Sequence, residues 1–361
     1  MNQKKICIIG QFPPPIHGLS KALDTIVKSE YLDDKFLLHI INLTNNKLFI
    51  RNLNEIKKID ADIYYFTISQ TKLGNIRDMV ILNTLIKKRK KIIVHYHGGY
   101  YKSLYDSFSF FQKYVNQKLL NQINIMIVLS EGLKKLFSDV VQLDRIRVCE
   151  NFVEDNSLIE TPLFENKINN LKNNTKTLKV LYLSNFIESK GYLDVLNAAI
   201  NLKTENVEFH FAGAFFKNDK EKQFMDYISK NSLNKTVVYH GVVKGEEKKQ
   251  LLRQCDIFVL PTYYPKEGQP ISIIEAMGNG LTIISSNHAG IPDIVTSENG
   301  YLVNPQSPRQ ISDYILILLN NRSKLIDFGV YNRFYTLKRF KEIDYIKRLE
   351  NIFDEVLEYE N

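Results

Sequence analysis

The stretch from residue 257 to residue 290 constrains the fold of this chain more than any other. A short apolar run at 257–260 is followed by a polar loop, a helical pattern at 271–277 and a second apolar run at 281–285. Short apolar runs on either side of a helix predict two buried strands, which together with the helix form one βαβ unit. The loop between the first strand and the helix is the part of this unit that can carry chemistry.

This polar loop is the expected ligand site, because open parallel sheets bind ligands outside the carboxyl ends of their strands, where helix N-termini also point. Glu267 opens the loop, and Glu275 follows eight positions later in the helix. Gly268 lets the backbone approach a ligand closely, and the free N–H groups at the start of the helix can donate to an anion or a sugar hydroxyl. A carboxylate at this edge is predicted to hold hydroxyl groups.

The rest of the chain repeats the alternation of apolar runs and helical patterns on both sides of a polar segment. The further predicted strands are 6–9, 39–43, 63–66, 92–95, 125–129, 180–183, 208–212 and 237–239. Residues 154–176 are rich in Asn and Lys with little periodicity, so an interdomain linker is predicted there. The alternation predicts an α/β protein with two doubly wound parallel sheets, and helical spacing returns at 335–358.

The composition agrees with a soluble globular protein of two ordinary domains. The chain has 361 residues, 44% hydrophobic and 24% charged, and no apolar run approaches the roughly 20 residues of a spanning helix. The apolar run after the first basic residues is too short for a signal-peptide core. Cys7, Cys149 and Cys255 are isolated, which indicates core positions in a reducing cytosol rather than a zinc or redox site. Neither half has a Gly-x-Gly-x-x-Gly fingerprint, which argues against a dinucleotide oxidoreductase.

The nine residues EGQPISIIE at 267–275 resemble the Glu-x7-Glu loop of the retaining nucleotide-sugar glycosyltransferases of family 4. The resemblance is strengthened by Ala276-Met277, by Gly280 and by the strand that ends near Gly290-Ile291-Pro292. It spans nearly the full chain and points to the members that build bacterial surface polysaccharides.

This resemblance implies the GT-B architecture, in which two Rossmann-like doubly wound domains face each other across a cleft. The N-terminal acceptor domain would comprise residues 1–165, and the C-terminal donor domain would comprise residues 166–334. The terminal helix at 335–361 would cross back and pack on the first domain.

The resemblance also assigns roles to residues of the second domain. Glu275 would hold the ribose hydroxyls of the donor, and Lys190 would neutralise its leaving diphosphate. The transferred sugar would be oriented by one carboxylate and three backbone amides, those of Glu267, Gly268, Gln269 and Ile271.

Two residues depart from the family pattern in this domain. Asn185 stands where the family has an arginine, five positions before Lys190, so another cation such as Lys244 or Lys266 must substitute or the rate is lower. Pro270 stands where a glycine is usual and has no N–H to donate. Donor binding is still expected, with Asn185 beside the diphosphate.

Two candidates lie in the first domain. The prolines of the segment 12–20 prevent a helix from starting before Gly18, and the resemblance places Gly18, together with His17, against the donor diphosphate. A rigid strand-to-helix turn is the structural alternative. His97-Gly98 follows a strand and matches a family histidine that faces the transferred sugar, the alternative being a strand-end histidine satisfied by its neighbours. A metal pair with His95 lacks a nearby carboxylate.

The remaining charged and aromatic segments leave several partners open. Asp60-Ala61-Asp62 matches a metal motif of another glycosyltransferase fold, but it precedes its strand, so no obligatory metal is expected. A net charge of +8 and the basic run at 87–91 favour anionic partners. The aromatic and lysine-rich segment at 100–114 suits either the protein core or the surface of an anionic membrane. No recognised nucleic-acid module accompanies these charges.

The function predicted from these features is a retaining, metal-independent glycosyltransferase of the cytoplasm or the inner face of the cell membrane. It would move a hexose from a nucleotide-diphosphate sugar, as substrate rather than cofactor, to a hydroxyl of a glycan or lipid-linked acceptor in capsule or O-antigen synthesis. His97 and Glu267 would be the catalytic residues. A non-catalytic sugar-binding subunit of a glycosyltransferase complex is the alternative that Asn185 supports, and a nucleotide-sugar epimerase is a second one.

Overall fold

The computed structural model describes residues 3–14, 18–172 and 176–359. The chain forms two compact units: unit 1 consists of Met1–Asn151 with Glu342–Asn361, and unit 2 consists of Phe152–Lys341. Each unit contains one six-stranded sheet, which confirms the prediction of two doubly wound α/β domains. None of the helices in the described ranges is long and apolar enough to cross a membrane.

Unit 1 alternates strands and helices along the chain. Its strands are β1 (Lys4–Gly10), β2 (Phe36–Asn42), β3 (Ile63–Thr67), β4 (Lys91–His95), β5 (Ile125–Val128) and β6 (Ile146–Val148). Its first six helices are α1 (Gly18–Lys28), α2 (Glu30–Asp33), α3 (Phe49–Lys58), α4 (Lys72–Lys87), α5 (Tyr101–Asp106) and α6 (Phe110–Leu120). A 3-10 helix, Glu131–Phe137, follows β5.

The sheet of unit 1 has the strand order β2-β1-β3-β4-β5-β6, and its neighbouring strands are parallel. The first strand lies inside the sheet, with β2 on one side and β3 on the other, so the strand order reverses between β1 and β3. All five residues of β3 are buried, because helices cover both faces of a parallel sheet. Ligands of such sheets bind where the order reverses.

Unit 2 follows the same alternation. Its strands are β7 (Leu178–Leu183), β8 (Val207–Ala212), β9 (Val237–Tyr239), β10 (Ile257–Leu260), β11 (Thr282–Ser286) and β12 (Gly300–Val303). Its helices are α7 (Thr161–Leu171), α8 (Tyr192–Asn201), α9 (Asn218–Lys230), α10 (Gly245–Gln254), α11 (Ile271–Gly278), α12 (Pro308–Asn320) and α13 (Arg322–Arg339).

The sheet of unit 2 has the strand order β12-β11-β10-β7-β8-β9, again with parallel neighbours. Its first strand pairs with β8 and with β10, which is the Rossmann order, so the reversal lies between β7 and β10. The predicted βαβ unit at 257–290 is present as β10, α11 and β11. The loops after β7 and β10 are therefore neighbours at the edge where ligands bind.

Helix α7 corrects the predicted linker at 154–176. Its Lys167 side chain is buried, and the ammonium donates to the carbonyl oxygens of Leu252 (3.2 Å) and Asn279 (2.9 Å) at the C-terminal ends of α10 and α11. Burial lowers the pKa of Lys167 to about 8. Because these contacts fix α7 on unit 2, the division between the units falls at Asn151 and Phe152 rather than at the predicted 165 and 166.

The terminal helical segment contains a break that the sequence pattern did not indicate. Helix α13 ends at Arg339 within unit 2, and α14 (Glu342–Glu358) begins unit 1 again, so the second crossing falls at 341 and 342 instead of at the predicted 335. The backbone N–H of Val153 donates to the carbonyl of Phe340 (2.9 Å), so the first and last residues of unit 2 lie side by side.

Helix α14 packs on unit 1 through its apolar face and several charged bonds. The Phe353 ring meets the edges of Phe36 and Tyr65, with both centroid distances 5.8 Å. Arg147 binds Glu355 with two hydrogen bonds of 3.0 and 2.5 Å. Since Phe353 is fully buried, α14 completes the core of unit 1.

Candidate functional site

The loops that follow β7 and β10 meet through an ion pair between two predicted residues. Lys190 ends the 3-10 turn Glu188–Lys190, and its Nζ donates to Oε2 of Glu267 at 2.5 Å. The same carboxylate oxygen accepts a hydrogen bond from the hydroxyl of Thr262 at 3.0 Å. Glu267 is only 7% exposed, so a negative and a positive charge are held together at the point where the strand order of unit 2 reverses.

The backbone brings these two loops close enough for the ion pair. Gly191 has a φ of +79°, and a Cβ on it would lie 2.5 Å from the carbonyl oxygen of Pro261, so only glycine fits here. The N–H of Tyr263 donates to the carbonyl of Ser189 at 2.7 Å. The glycine after Lys190 is thus what allows the turn to press against the end of β10.

The Tyr264 ring completes the surroundings of Lys190. The Lys190 Nζ lies 5.1 Å from the centroid of this ring, within the range of a cation–π contact. Burial, and then the negative charge of Glu267, raise the pKa of the Tyr264 hydroxyl. His288 Nε2 lies 2.8 Å from the carbonyl oxygen of Tyr264, which ties this loop to the segment after β11.

A second ion pair holds Glu275, which lies in α11. Lys248 on α10 contacts both carboxylate oxygens of Glu275, at 2.7 Å to Oε1 and 2.6 Å to Oε2. Glu275 is 2% exposed, and the Lys248 side chain is 28% exposed. The carboxylate is therefore fixed in one orientation by a cation that borders solvent.

The loop between the two glutamates leads directly into the N-terminus of α11. Pro270 occupies the N-cap position, and its carbonyl accepts a hydrogen bond from the N–H of Ile273 at 3.2 Å. The carbonyl of Gly268 accepts from the N–H of Gly290 at 3.0 Å, and Gln269 is 3% exposed. The first turn of α11 contains no acidic residue, so its N–H groups leave a positive potential beside the loop.

Asn185 and the two cations considered as its substitutes lie at the border of this region. Asn185 is exposed in the loop after β7, and its carbonyl accepts from the Tyr182 hydroxyl at 3.2 Å. Lys244 is exposed and precedes α10, and Lys266 is partly exposed next to Glu267. Neither lysine belongs to the loop after β7 itself: Lys244 follows β9, and Lys266 follows β10.

In unit 1, His97 follows β4 and is held by its neighbours. The rings of His95 and His97 lie 3.9 Å apart between centroids at an angle of 32°, and Nδ1 of His95 lies 2.5 Å from the hydroxyl of Tyr65. Gln70 donates its amide N–H to the carbonyl of His97 at 2.9 Å, and a Cβ on Gly98 would strike the Gln70 carboxamide. Burial keeps the pKa of His95 well below its usual range, so this imidazole is neutral.

The other predicted residues of unit 1 are partly described. Gly18 is the exposed first residue of α1, whereas His17 lies outside the described residues. Asp60 forms an ion pair with Lys90 at 3.0 Å, and Oδ2 of Asp62 accepts a hydrogen bond from the N–H of Lys5 at 2.8 Å. Both aspartates therefore lie at the amino-terminal edge of the sheet. The described ranges contain no cluster of three or more His, Cys, Asp or Glu residues placed to hold a metal ion.

Four residues that contact these sites were not predicted from the sequence. Thr262 and Gln70 follow the ends of β10 and β3, so the same rule that selected Glu267 could have found them. Tyr65 lies within an apolar strand, and Lys248 lies in a helix whose many charged residues are typical of a solvent-exposed surface. No spacing signal marked either of these two.

Comparison with known families finds a match in unit 2. Residues 164–333 match the family described as glycosyl transferases group 1. The matched segment covers nearly all of unit 2 and somewhat less than half of the chain.

Two relatives and one solved structure extend this similarity. The uncharacterized glycosyltransferase MJ1069 of Methanocaldococcus jannaschii is 23% identical over 337 residues, which cover 88% of this chain and 80% of that protein. The amylovoran biosynthesis glycosyltransferase AmsK of Erwinia amylovora is 29% identical over 147 residues, which cover 40% of this chain and 36% of that protein. The crystal structure of Anabaena Alr3699/HepE in complex with UDP has a TM-score of 0.77 at 15% identity and covers 97% of this chain and 100% of that chain.

The structural likeness confirms the predicted GT-B fold class. The family match and the two relatives support a glycosyltransferase of group 1.

Proposed function

We propose that this protein is a retaining glycosyltransferase that moves a hexose from a nucleotide-diphosphate sugar to a hydroxyl of a glycan intermediate. The observation that carries the proposal is the Lys190–Glu267 pair, which lies where the strand order of unit 2 reverses and within the family match. A cation and a carboxylate at this edge suit a ligand that is anionic at one end and rich in hydroxyls at the other.

On the donor side, Lys190 binds the diphosphate. Its ammonium carries three N–H donors, so it can bind a phosphate oxygen while one bond to Glu267 is kept. The N-terminus of α11 adds partial positive charge where the phosphate departs. Glu267, with the amides of Gly268, Gln269 and Ile271, orients the transferred sugar.

The ribose of the donor is assigned to Glu275. Its two carboxylate oxygens can each accept a hydrogen bond from a neighbouring ribose hydroxyl. Lys248 already contacts both oxygens, so the carboxylate does not need to be ordered when the nucleotide binds. The complex of HepE with UDP supports a nucleoside diphosphate as the class of ligand.

The transfer step needs no protein nucleophile. The acceptor hydroxyl attacks the anomeric carbon from the face that the phosphate leaves, the bond between that carbon and the phosphate oxygen breaks, and the departing phosphate takes the hydroxyl proton. The side chains bind and neutralise charge, with Gly18 near the diphosphate and His97 near the transferred sugar. No metal is assigned to this step.

The acceptor is proposed to be a growing surface polysaccharide, carried on a lipid. The role of AmsK in amylovoran biosynthesis supports the polysaccharide. We also propose the cytoplasm, at the inner face of the membrane, as the location of the reaction; the buried thiols of Cys7, Cys149 and Cys255 support a reducing compartment.

A thermal-shift screen against UDP-, GDP-, ADP- and TDP-sugars tests the donor assignment without an acceptor. A ligand present at 100 times its dissociation constant adds about 2.7 kcal/mol of stability. We expect one nucleotide class to stabilise the protein, Glu275→Gln to abolish the shift, and the matched control Glu247→Gln, at an exposed position of α10, to retain it.

The outcomes separate the proposal from its alternatives. If no nucleotide sugar raises the melting temperature, the donor assignment fails and the accessory-subunit alternative, which Asn185 supports, takes its place. If a sugar binds, release of nucleoside diphosphate should require an acceptor glycan. Conversion of the donor without any acceptor would instead identify an epimerase.

A further inference from the structure

The surface of unit 1 carries an apolar face formed by two adjacent helices. Leu73, Ile76 and Val80 of α4 are 81%, 53% and 40% exposed. Phe110, Phe111 and Tyr114 of α6 are 89%, 73% and 53% exposed. We call these six residues the α4–α6 face.

Two buried amides hold the helices of the α4–α6 face together. Asn75 and Asn116 exchange hydrogen bonds of 2.8 and 3.0 Å, and Gln112 donates to Asn75 at 2.9 Å. Both asparagines are buried, and they point away from the exposed apolar residues on the same helices. The apolar side chains are therefore presented by a rigid pair of helices rather than by a loose loop.

The α4–α6 face revises the prediction for the aromatic segment at 100–114. Tyr101, Leu104 and Phe108 are buried, so this part of the segment belongs to the core. The exposed aromatics begin only at Phe110, and their apolar neighbours come from α4, which the sequence pattern did not single out.

The charges on these helices are nearly all positive. Helices α4 and α6 contain five cations, Lys72, Arg77, Lys87, Lys113 and Lys118. The one carboxylate on these two helices, Asp78, is fully buried and paired with Arg77 at 2.8 Å. The Lys118 ammonium lies 6.0 Å from the Tyr114 ring, so positive charge borders the apolar side chains directly.

We propose that the α4–α6 face docks on the surface of an anionic lipid bilayer. Exposed phenylalanine and leucine side chains enter the boundary between headgroups and acyl chains, Tyr114 lies at headgroup level, and the lysines bind lipid phosphates. A second copy of this chain is a poor occupant, because two faces of the same positive charge repel each other. The inference rests on the proposed function for its membrane location and deepens it by naming the surface that contacts the lipid.

Flotation with lipid vesicles tests this docking on the full-length protein. We expect binding to phosphatidylcholine vesicles that contain phosphatidylglycerol, and at least about tenfold weaker binding to phosphatidylcholine alone or at high salt. The double variant Phe110→Ser with Phe111→Ser should lose at least about tenfold in affinity for the anionic vesicles. Its matched control is Phe216→Ser with Phe334→Ser, at positions of unit 2 that are 71% and 61% exposed.

A fluorescence measurement reports insertion at the face itself. The chain contains no tryptophan, so Tyr114→Trp introduces a single probe. Its emission should shift to shorter wavelength with anionic vesicles and be quenched by brominated lipid, whereas Phe216→Trp should show neither change.

Three results would overturn the proposal. The first is a wild-type protein that does not bind anionic vesicles, and the second is undiminished binding by the Phe110 and Phe111 variant. The third is a concentration-dependent oligomer that this variant converts to a monomer without any vesicle binding, since the face would then be a protein interface. Donor binding in the thermal-shift screen is independent of all three.

Discussion

The carboxyl edges of the two sheets differ in charge although the sheets share one architecture. In unit 2 the residues at this edge are ionic, and Lys190–Glu267 and Lys248–Glu275 are paired and mostly buried. In unit 1 the residues that follow β4 carry imidazole and carboxamide groups, with the His97 ring tilted against that of His95 and the His97 carbonyl bonded to Gln70. Paired charges suit a donor that carries a diphosphate, whereas imidazole and amide groups suit sugar hydroxyls.

The difference also predicts how each edge tolerates substitution. Removing one member of a buried ion pair leaves an uncompensated charge, which costs more than the pair itself contributes. Removing an imidazole that pairs with no carboxylate leaves at most an unmatched hydrogen-bonding group. Loss of either member of the mostly buried Lys190–Glu267 pair should therefore have a larger effect than loss of His97.

The largest effect is expected for the Lys190–Glu267 pair. Lys190→Ala and Glu267→Ala should each lower turnover by roughly tenfold to 100-fold. Lys190 neutralises the charge of the leaving phosphate, and Glu267 orients the transferred sugar. The measurement is kcat/KM for both single variants and the double variant.

Because the two residues act as a unit, the double variant should lose less than the product of the single losses. Lys203→Ala, at an exposed position of unit 2, is the matched control. Near-normal turnover in both single variants would remove the basis for the contrast between the two edges.

His97→Ala tests the neutral edge. The expected loss is about tenfold in kcat, about 1.4 kcal/mol, since one hydrogen-bonding group beside the sugar is removed and no buried charge is exposed. The stabilisation by nucleotide alone should not change. His39→Ala, another histidine of unit 1, serves as the control. A larger loss than that of Lys190→Ala would reverse the comparison.

His95 makes the stability of unit 1 depend on pH. Burial lowers the pKa of the folded imidazole well below 6.5, so below that pH the unfolded chain binds a proton that the folded chain does not. The contribution of this group to stability is thus complete well above pH 6.5 and is lost progressively as the pH is lowered from 7.5 to 5.5.

Urea unfolding of wild type and His95→Gln at these two pH values measures this contribution. The variant should lose that part of the pH dependence, whatever its stability at pH 7.5. His210 and His240 of unit 2 also have lowered pKa values caused chiefly by burial, so the variant retains some pH dependence of stability and only the difference between the proteins is informative. Equal slopes would show that His95 does not stay neutral in the folded protein.

The smallest effect is expected for Lys248→Met. Since Lys248 acts by holding Glu275 rather than by touching the reacting atoms, the nucleotide should bind about fivefold more weakly, about 1 kcal/mol, with kcat unchanged. Isothermal titration with the nucleotide identified in the screen measures this. Lys249→Met, next to it on α10, should bind normally. A fall in kcat without a change in affinity would contradict a positioning role.

The sheets and the donor loop could be predicted because their signals are local. The apolar runs marked β10 at its observed bounds, and the spacing of Glu267 and Glu275 placed both on one loop and helix. Helix α7 was not predicted because its Asn- and Lys-rich sequence is stabilised by residues distant in the chain. Among them are the two carbonyl oxygens that accept hydrogen bonds from Lys167. Lys248 escaped for the same reason, since only folding brings it to Glu275.

The return of α14 to unit 1 affects the order in which the two units can fold during synthesis. The buried Tyr345 and Phe353 of this helix belong to the core of unit 1, but unit 2 lies between them and the rest of that core in the chain. At synthesis rates of about 5–20 residues per second, the ribosome needs roughly 10–40 s to pass unit 2. During that interval the apolar surface of unit 1 that α14 covers stays exposed. Unit 2, in contrast, is one continuous segment and can fold first.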